Sequence, residues 1–324
     1  MPRIPVGRYV DDLIKFLLEH LGGMFDGLAS ILIALVNGVY RMLSGPPYLV
    51  LIAVLAVIAW VVSRRWQLVV FTILAFLLID AMRLWTATMQ TLAVVLIAAS
   101  VAVAIGVPIG LCAATSQRVS SATRPALDFM QTLPVFVYLI PAVFFFGIGV
   151  VPGVVATTIF AIPPAVRLTE LGVRQVDREI VEAAEAFGSR PRQVLRQVQI
   201  PLAMPSIMAG INQVIMLALS MVVIAGMVGA GGLGEVVVRG VTQLDIGTGF
   251  EGGLSVVILA IFLDRVTGAF AVRRKPAKRL LRLRSWRSRP NDRHEGAAHV
   301  GARVPEPVAQ EDSAVTEPRS SVQI

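Results

Sequence analysis

Residues 167–205 read RLTELGVRQVDREIVEAAEAFGSRPRQVLRQVQIPLAMP, a polar stretch with long apolar runs on both sides. Its part from 167 to 199 contains six arginines and five acidic residues, although only 15% of the whole chain is charged. The chain is 56% hydrophobic, more than is usual for a soluble domain. Because about 20 apolar residues are enough for a helix to cross a bilayer, the sequence predicts an all-α, polytopic transmembrane helix bundle with one water-facing insert.

About seven apolar runs are long enough to be spans. They are predicted at 47–63, 66–82, 89–114, 132–150, 151–168, 206–228 and 253–270. With seven spans, the basic loops all fall on one side, together with ten Lys/Arg at 273–293. Basic loops are retained in the cytoplasm. The chain is therefore expected in the cytoplasmic (inner) membrane, with its N-terminus outside and its C-terminus cytoplasmic.

The two ends of the chain differ from the middle. Residues 1–46 are predicted to be an amphipathic segment on the extracytoplasmic membrane surface, because Val10, Ile14, Leu17 and Leu21 recur at helical spacing. Within it, 27–43 is apolar but short, and an eighth span there would reverse the N-terminus. Residues 47–272 form the predicted transmembrane domain, and 273–324 form a tail, basic and then disordered, in the cytoplasm.

The polar insert itself has the pattern of two short helices. The first is predicted to bury one small apolar face, formed by Ile180, Val181, Ala184 and Phe187. Asp177 is a candidate N-cap for the first helix, and Gly188 is placed where a helix ends in a left-handed residue. Ser189 is the candidate cap of the second helix, which Pro201 and Pro205 are expected to stop. A plain cytoplasmic loop and a docking element for a soluble partner are both compatible with this pattern.

A motif in the insert separates these alternatives. It reads EAA, three residues, glycine, nine residues, then V-x-I-P. Its residues are Glu182, Ala183, Ala184, Gly188, Val198, Ile200 and Pro201. The motif resembles the EAA loop of permease subunits of binding-protein-dependent ABC importers, which contacts the ATP-hydrolysing subunit. The family consensus is Ile-x-Leu-Pro, so Val198 and Ile200 are conservative departures from it.

The resemblance covers roughly residues 47–270, including the runs at 128–172, 201–234 and 258–270. Over this length the chain is similar to glycine betaine/proline betaine permeases. The resemblance implies a type I ABC importer permease fold and a homodimeric pore that carries a betaine-type compatible solute. It also implies two ATPase subunits at the cytoplasmic face, which bind ATP and Mg, and an extracytoplasmic solute-binding protein. No cofactor is expected on this chain.

Other kinds of chemistry find little support. Cys112 is the only cysteine and the chain has three histidines, so a metal site is not expected. The net charge of +8 is concentrated in the tail, so nucleic acid is not an expected partner. The run GAGGLG at 229–234 matches a dinucleotide motif only formally, and it is interpreted as a flexible turn at the mouth of the pore. Without a phosphate loop or a nucleophile motif, the chain is predicted not to be an enzyme.

Three polar residues within the sixth span are candidates for the translocation path: Asn212, Gln213 and Ser220. Helix–helix hydrogen bonding is the alternative and better-supported role for such residues. Choline, carnitine or another small osmolyte is an alternative cargo. A secondary transporter or channel is an alternative of a different class, which would need no ATPase.

Overall fold

The protein is described here by a computed structural model that covers residues 6–273, without the side chains of residues 6, 10, 11, 13 and 270–273. The described part of the chain contains thirteen α-helices and one π-helical turn. The predicted tail, 273–324, lies outside the described residues except for Arg273. In chain order the elements are α1 (Val6–Ser44), α2 (Tyr48–Ser63), α3 (Trp66–Ala81), α4 (Trp85–Thr115), α5 (Gln117–Thr132), α6 (Val135–Phe146), α7 (Val150–Arg174), α8 (Arg178–Ala186), α9 (Pro191–Val194), the π turn (Leu195–Gln199), α10 (Ile200–Ser220), α11 (Val222–Met227), α12 (Gly232–Thr242) and α13 (Ile246–Arg273).

The centre of the bundle is the packing of α4 against α7. Small residues allow the two helices to approach closely: a Cβ on Gly106 would lie 2.6 Å from the Cβ of Ala165, and one on Gly110 would lie 2.6 Å from the carbonyl oxygen of Val166. In a membrane such close backbone packing replaces the hydrophobic effect as the source of helix association. Helices α10 and α13 join the same core through Val214 and Leu259.

The prediction of an all-α bundle of membrane-spanning helices is confirmed. Among the described residues, five helical stretches are long and apolar enough to cross a membrane: α1, α4, α7, the run from α9 to α11, and α13. The α5–α6 pair, bent by 92°, raises this number to six. Helices α2 and α3 are apolar but have only 16 residues each. Each of the seven predicted spans overlaps one of these helices.

The predicted fourth span, 132–150, is not one straight helix. Helix α6 has 12 residues, and α5 precedes it across the bend at Leu133 and Pro134. Leu133 has extended dihedral angles (φ −66°, ψ 132°). Proline disfavours the helical conformation in the residue before it, so the Leu-Pro pair ends α5 and turns the chain.

The N-terminal segment is one continuous helix. α1 includes both the amphipathic turns and the apolar run 27–43. Leu32 and Val36 are buried against α4 and α7, and the ring of Phe25 stacks on that of Phe145, with 4.6 Å between the centroids. The second half of α1 therefore packs along the bundle.

Pro201 and Pro205 do not end the second helix of the insert, contrary to the prediction. The chain continues from α9 through the π turn into α10, where Pro201 lies in the first turn and Pro205 lies inside the helix. The N–H of Ile200 bonds five residues back, to the carbonyl oxygen of Leu195. For Pro201, in the first turn of α10, the missing N–H is one that the start of a helix leaves without a partner in its own helix.

The GAGGLG run is a turn only in its first half. Residues 229–231 connect α11 to α12, whereas Gly232, Leu233 and Gly234 begin α12 and are buried. The N–H of Leu233 donates to Thr91 Oγ1 at 2.8 Å, and the N–H of Gly232 donates to Gln90 Oε1 at 3.1 Å. Since these bonds join the run to α4, it is a tightly packed part of the bundle.

Candidate functional site

The first helix of the insert, α8, begins as its sequence predicts. Asp177 is the N-cap, and its Oδ1 accepts a hydrogen bond from the N–H of Glu179 at 3.1 Å. Glu179 adds a second carboxylate in the first turn, where the helix dipole favours negative charge. The start of α8 is thus set by two neighbouring acidic residues.

The end of α8 depends on Gly188, which has the predicted positive φ, +82°. The N–H of Gly188 donates to the carbonyl oxygen of Glu185 at 2.8 Å, and the N–H of Ser189 donates to that of Ala184 at 3.2 Å. This pair of bonds is the Schellman motif, in which a left-handed residue closes the helix. A Cβ at Gly188 would meet no atom within 4 Å. Glycine is therefore required by the backbone conformation and not by crowding.

Ser189 does not cap the second helix, which corrects the prediction. The N-cap of α9 is Arg190, whose N–H donates to Gln193 Oε1 at 2.9 Å. Pro191 is the first residue of α9 and keeps Arg190 extended (φ −69°, ψ 152°). Because the backbone N–H of Ser189 already closes α8, the cap moves one residue along the chain.

Helix α8 has no buried residue. Of its predicted apolar face, Val181 and Ala184 are half-buried, whereas Ile180 is 44% exposed and Phe187 is 92% exposed. Two large apolar side chains, one on α8 and one at its C-cap, are thus exposed close to the acidic residues of α8. Exposed apolar groups with a polar surround are typical of a surface that another molecule covers.

The other residues of the EAA motif take different positions. Glu182 and Ala183 are exposed on α8, and Pro201 is exposed at the start of α10. Val198 is half-buried in the π turn. Ile200 packs with Leu195 against a cluster formed by Val173, Ala203 and Ile207. The motif therefore includes both outward-facing residues and residues that anchor the insert to α7 and α10.

A polar cluster that was not predicted from the sequence joins the base of the insert to two other helices. Glu170, 8% exposed, accepts a hydrogen bond from Ser120 Oγ at 2.7 Å. Its Oε1 lies 3.2 Å from Arg174 Nε and 3.6 Å from Arg124 Nη2. Arg174 also donates to the carbonyl oxygen of Ala113 at 2.8 Å. The available sequence signal was the i, i+4 spacing of Glu170 and Arg174 at the end of a span.

Glu170→Gln is expected to lower the free energy of unfolding by about 2 kcal/mol, since hydrogen bonds to a charged group lose part of their strength when the charge is removed. The measurement is thermal unfolding of the purified chain in detergent. Glu235→Gln is the matched control, because Glu235 makes a similar i, i+4 pair with Arg239 at 2.6 Å but its side chain is 47% exposed. Equal shifts in melting temperature for the two variants would contradict a structural role of Glu170.

The three candidate path residues do not form one site. Asn212 Nδ2 donates to Asp264 Oδ1 at 2.8 Å, and Asn212 Oδ1 accepts from Thr267 Oγ1, so Asn212 joins α10 to α13. Ser220 Oγ donates to the carbonyl oxygen of Met216 in its own helix. Gln213 is exposed. The contacts of Asn212 are those of the helix–helix alternative, and its partner Asp264 was not singled out from the sequence.

Comparison with known proteins gives the family context of this site. Residues 106–276 match the model of the family described as "Binding-protein-dependent transport system inner membrane component". The chain is 50% identical to the glycine betaine transport system permease protein OpuAB of Bacillus subtilis, over 85% of this chain and 97% of that protein. It is 48% identical to the glycine betaine/proline betaine transport system permease protein ProW of Escherichia coli, over 82% and 75% respectively.

A solved structure with a similar fold is that of the MetNI methionine ABC transporter in inward-facing conformations. The TM-score is 0.52 at 21% identity, and the alignment covers 57% of this chain and 93% of the other. At this identity the likeness concerns the fold alone.

Proposed function

This chain belongs to the family of inner membrane components of binding-protein-dependent transport systems, and we propose that it carries a betaine-type compatible solute across the membrane. It is a multi-pass permease subunit. The observation that carries the choice of solute is the similarity to two betaine permeases, which extends over most of both chains in each case. Glycine betaine and proline betaine are the proposed cargo.

The proposed energy source is ATP hydrolysis on a partner subunit, with ATP and Mg bound there. The EAA motif on α8 supplies the proposed contact. Phe187 and Ile180 are exposed, as are the nearby carboxylates of Glu182 and Glu185. This mixture of apolar and charged groups is typical of a protein–protein interface. Gly188 keeps the two arms of the insert in one shape, so that movement of the ATPase is passed to α7 and α10.

The proposed assembly is a homodimer of this chain with two ATPase subunits at the cytoplasmic face and a solute-binding protein outside. Orientation follows from charge: Arg118, Arg124 and the arginines of the insert belong on the cytoplasmic side. In this proposal residues 47–272 form the permease domain, and the solute passes between two copies of the bundle by alternating access.

The test is uptake of labelled solutes in a host that lacks its own osmolyte importers and expresses the ATPase and the binding protein with this chain. We expect uptake of glycine betaine that requires the ATPase and is inhibited by unlabelled proline betaine. Preferential uptake of choline or carnitine would change the cargo. Uptake that persists without the ATPase would instead indicate a secondary transporter or channel.

Phe187→Ser is expected to reduce co-purification of the ATPase by about tenfold, because truncation of a central aromatic residue typically costs an interface 1–2 kcal/mol or more. The fold should be unaffected, since Phe187 is 92% exposed. The comparison is a pull-down from solubilised membranes at matched permease levels. Ile246→Ala is the control. Ile246 is 86% exposed and is the first residue of α13, which the proposed orientation places on the side of the membrane away from the ATPase. Unchanged recovery of the ATPase with Phe187→Ser would place the contact with the ATPase elsewhere on the permease.

A further inference from the structure

A cleft of about 390 Å³ lies where the turn between α2 and α3 meets the last turns of α13. Its walls are partly apolar, formed by Val62, Leu68 and Ala269. Three arginines also line it, Arg64 and Arg65 from the turn and Arg265 from α13. The cleft thus combines an apolar wall with a concentration of positive charge at the ends of membrane helices.

The fold uses the backbones of Arg64 and Arg65, which end α2 and begin α3, but not the guanidinium groups of the three arginines. Within residues 6–273 the structure shows no ion pair and no hydrogen bond of the guanidinium groups of Arg64, Arg65 or Arg265. All three are exposed. Arg64 has a left-handed backbone conformation, φ +51°, which residues other than glycine seldom adopt. Arg64 therefore lies at a position where a glycine would be less strained.

One acidic residue, Asp264, also lines the cleft. Its Oδ1 accepts the hydrogen bond from Asn212, so that oxygen is directed to α10. The lining residues together have three positive charges and one negative charge. The first turn of α3 adds the positive end of a helix dipole next to Arg65.

The two helices that the turn connects, α2 and α3, also expose apolar side chains that are suited to acyl chains. Val57 and Trp60 on α2 are 59% and 52% exposed, and Trp66 at the start of α3 is 66% exposed. Tryptophan at a helix end is typical of the level of lipid headgroups. A ligand with an anionic head and apolar chains would satisfy the arginines and the apolar side chains at the same time.

We propose that this cleft binds the headgroup of an anionic phospholipid, with Arg64, Arg65 and Arg265 contacting the phosphate. Basic pockets between membrane helices are known to hold such headgroups. The site is distinct from the insert that is proposed to bind the ATPase, and it does not depend on the transported solute.

The experiment uses the full chain in nanodiscs that contain brominated phosphatidylglycerol or brominated phosphatidylcholine. Bromine quenches tryptophan fluorescence at short range. The contribution of Trp66 to the quenching is obtained as the difference in quenching between the unaltered chain and its Trp66→Phe variant. Since Trp66 follows Arg65 directly, this readout reports on the cleft and not on the tail. Phosphatidylglycerol is expected to associate preferentially, and Arg65→Gln or Arg265→Gln should each lower its relative association constant about fivefold.

Arg118→Gln is the matched control, since Arg118 is an exposed arginine outside the cleft, at the start of α5. It should leave the preference unchanged. Equal quenching by the two lipids in the unaltered chain would overturn the proposal. So would an undiminished preference when Arg64, Arg65 and Arg265 are all replaced by glutamine, or displacement of the lipid by free inorganic phosphate.

Discussion

Valine in place of Gly188 is expected to abolish solute uptake while the bundle stays folded in the membrane. Gly188 has φ +82° and closes α8 through bonds to Glu185 and, via Ser189, to Ala184. A β-branched residue in this conformation costs about 1–2 kcal/mol or more, so the turn should open and α8 should change direction. Because no atom lies within 4 Å of a Cβ at this position, the effect arises from the backbone alone.

The measurements for Gly188→Val are uptake, ATPase co-purification and the melting temperature of the purified permease. Gly188→Asn is the matched variant, since asparagine adopts the left-handed conformation far more readily than valine. It should retain most of the uptake. Normal uptake and normal ATPase recovery with Gly188→Val would refute the proposed role of the insert as a rigid coupling element.

Gly234→Ala is expected to prevent accumulation of the folded permease. A Cβ on Gly234 would lie 2.0 Å from the carbonyl oxygen of Val222, and one on Gly226 would lie 2.3 Å from the carbonyl carbon of Gly234. The two backbones are in direct contact, so neither can move without separating α11 from α12. Overpacking typically costs about 1–3 kcal/mol and occasionally more. Because the clash here is with backbone, we expect a cost at or above the upper end of that range, which is a large part of the stability of an average domain.

The effect of Gly234→Ala is measured as the yield of monodisperse protein in detergent and its melting temperature. Gly253→Ala is the control, because a Cβ at Gly253 in α13 meets no atom within 4 Å. This control should be neutral or slightly stabilising, since alanine is a better helix former than glycine. Equal yields and melting temperatures for the two variants would show that α11 and α12 are not packed backbone to backbone.

The sequence by itself determined the features that depend on near neighbours. The apolar runs predict the helices because a membrane requires the backbone to be satisfied within each segment. The cap at Asp177 and the positive φ at Gly188 were predicted because both depend on residues within one helical turn. The N-cap at Arg190 was missed because two local signals, the closing of α8 and Pro191, compete for the same few residues.

Features that join distant parts of the chain were decided only by the tertiary structure. The bond from Ser120 to Glu170 spans 50 residues, and that from Asn212 to Asp264 spans 52. No local pattern specifies which polar residues meet, because helix packing brings them together. The GAGGLG run looked flexible in the sequence for the same reason: its partners, Gln90 and Thr91, belong to another helix.

The side chains of α8 that are covered or exposed depend most clearly on the tertiary structure. Its pattern predicted an apolar face with Ile180, Val181, Ala184 and Phe187, and a covered face was expected. In the structure the bundle covers Val181 and Ala184 in part and leaves Phe187 exposed. Helical periodicity determines which residues share a face, but what that face contacts depends on where α7 and α10 place the two ends of the insert.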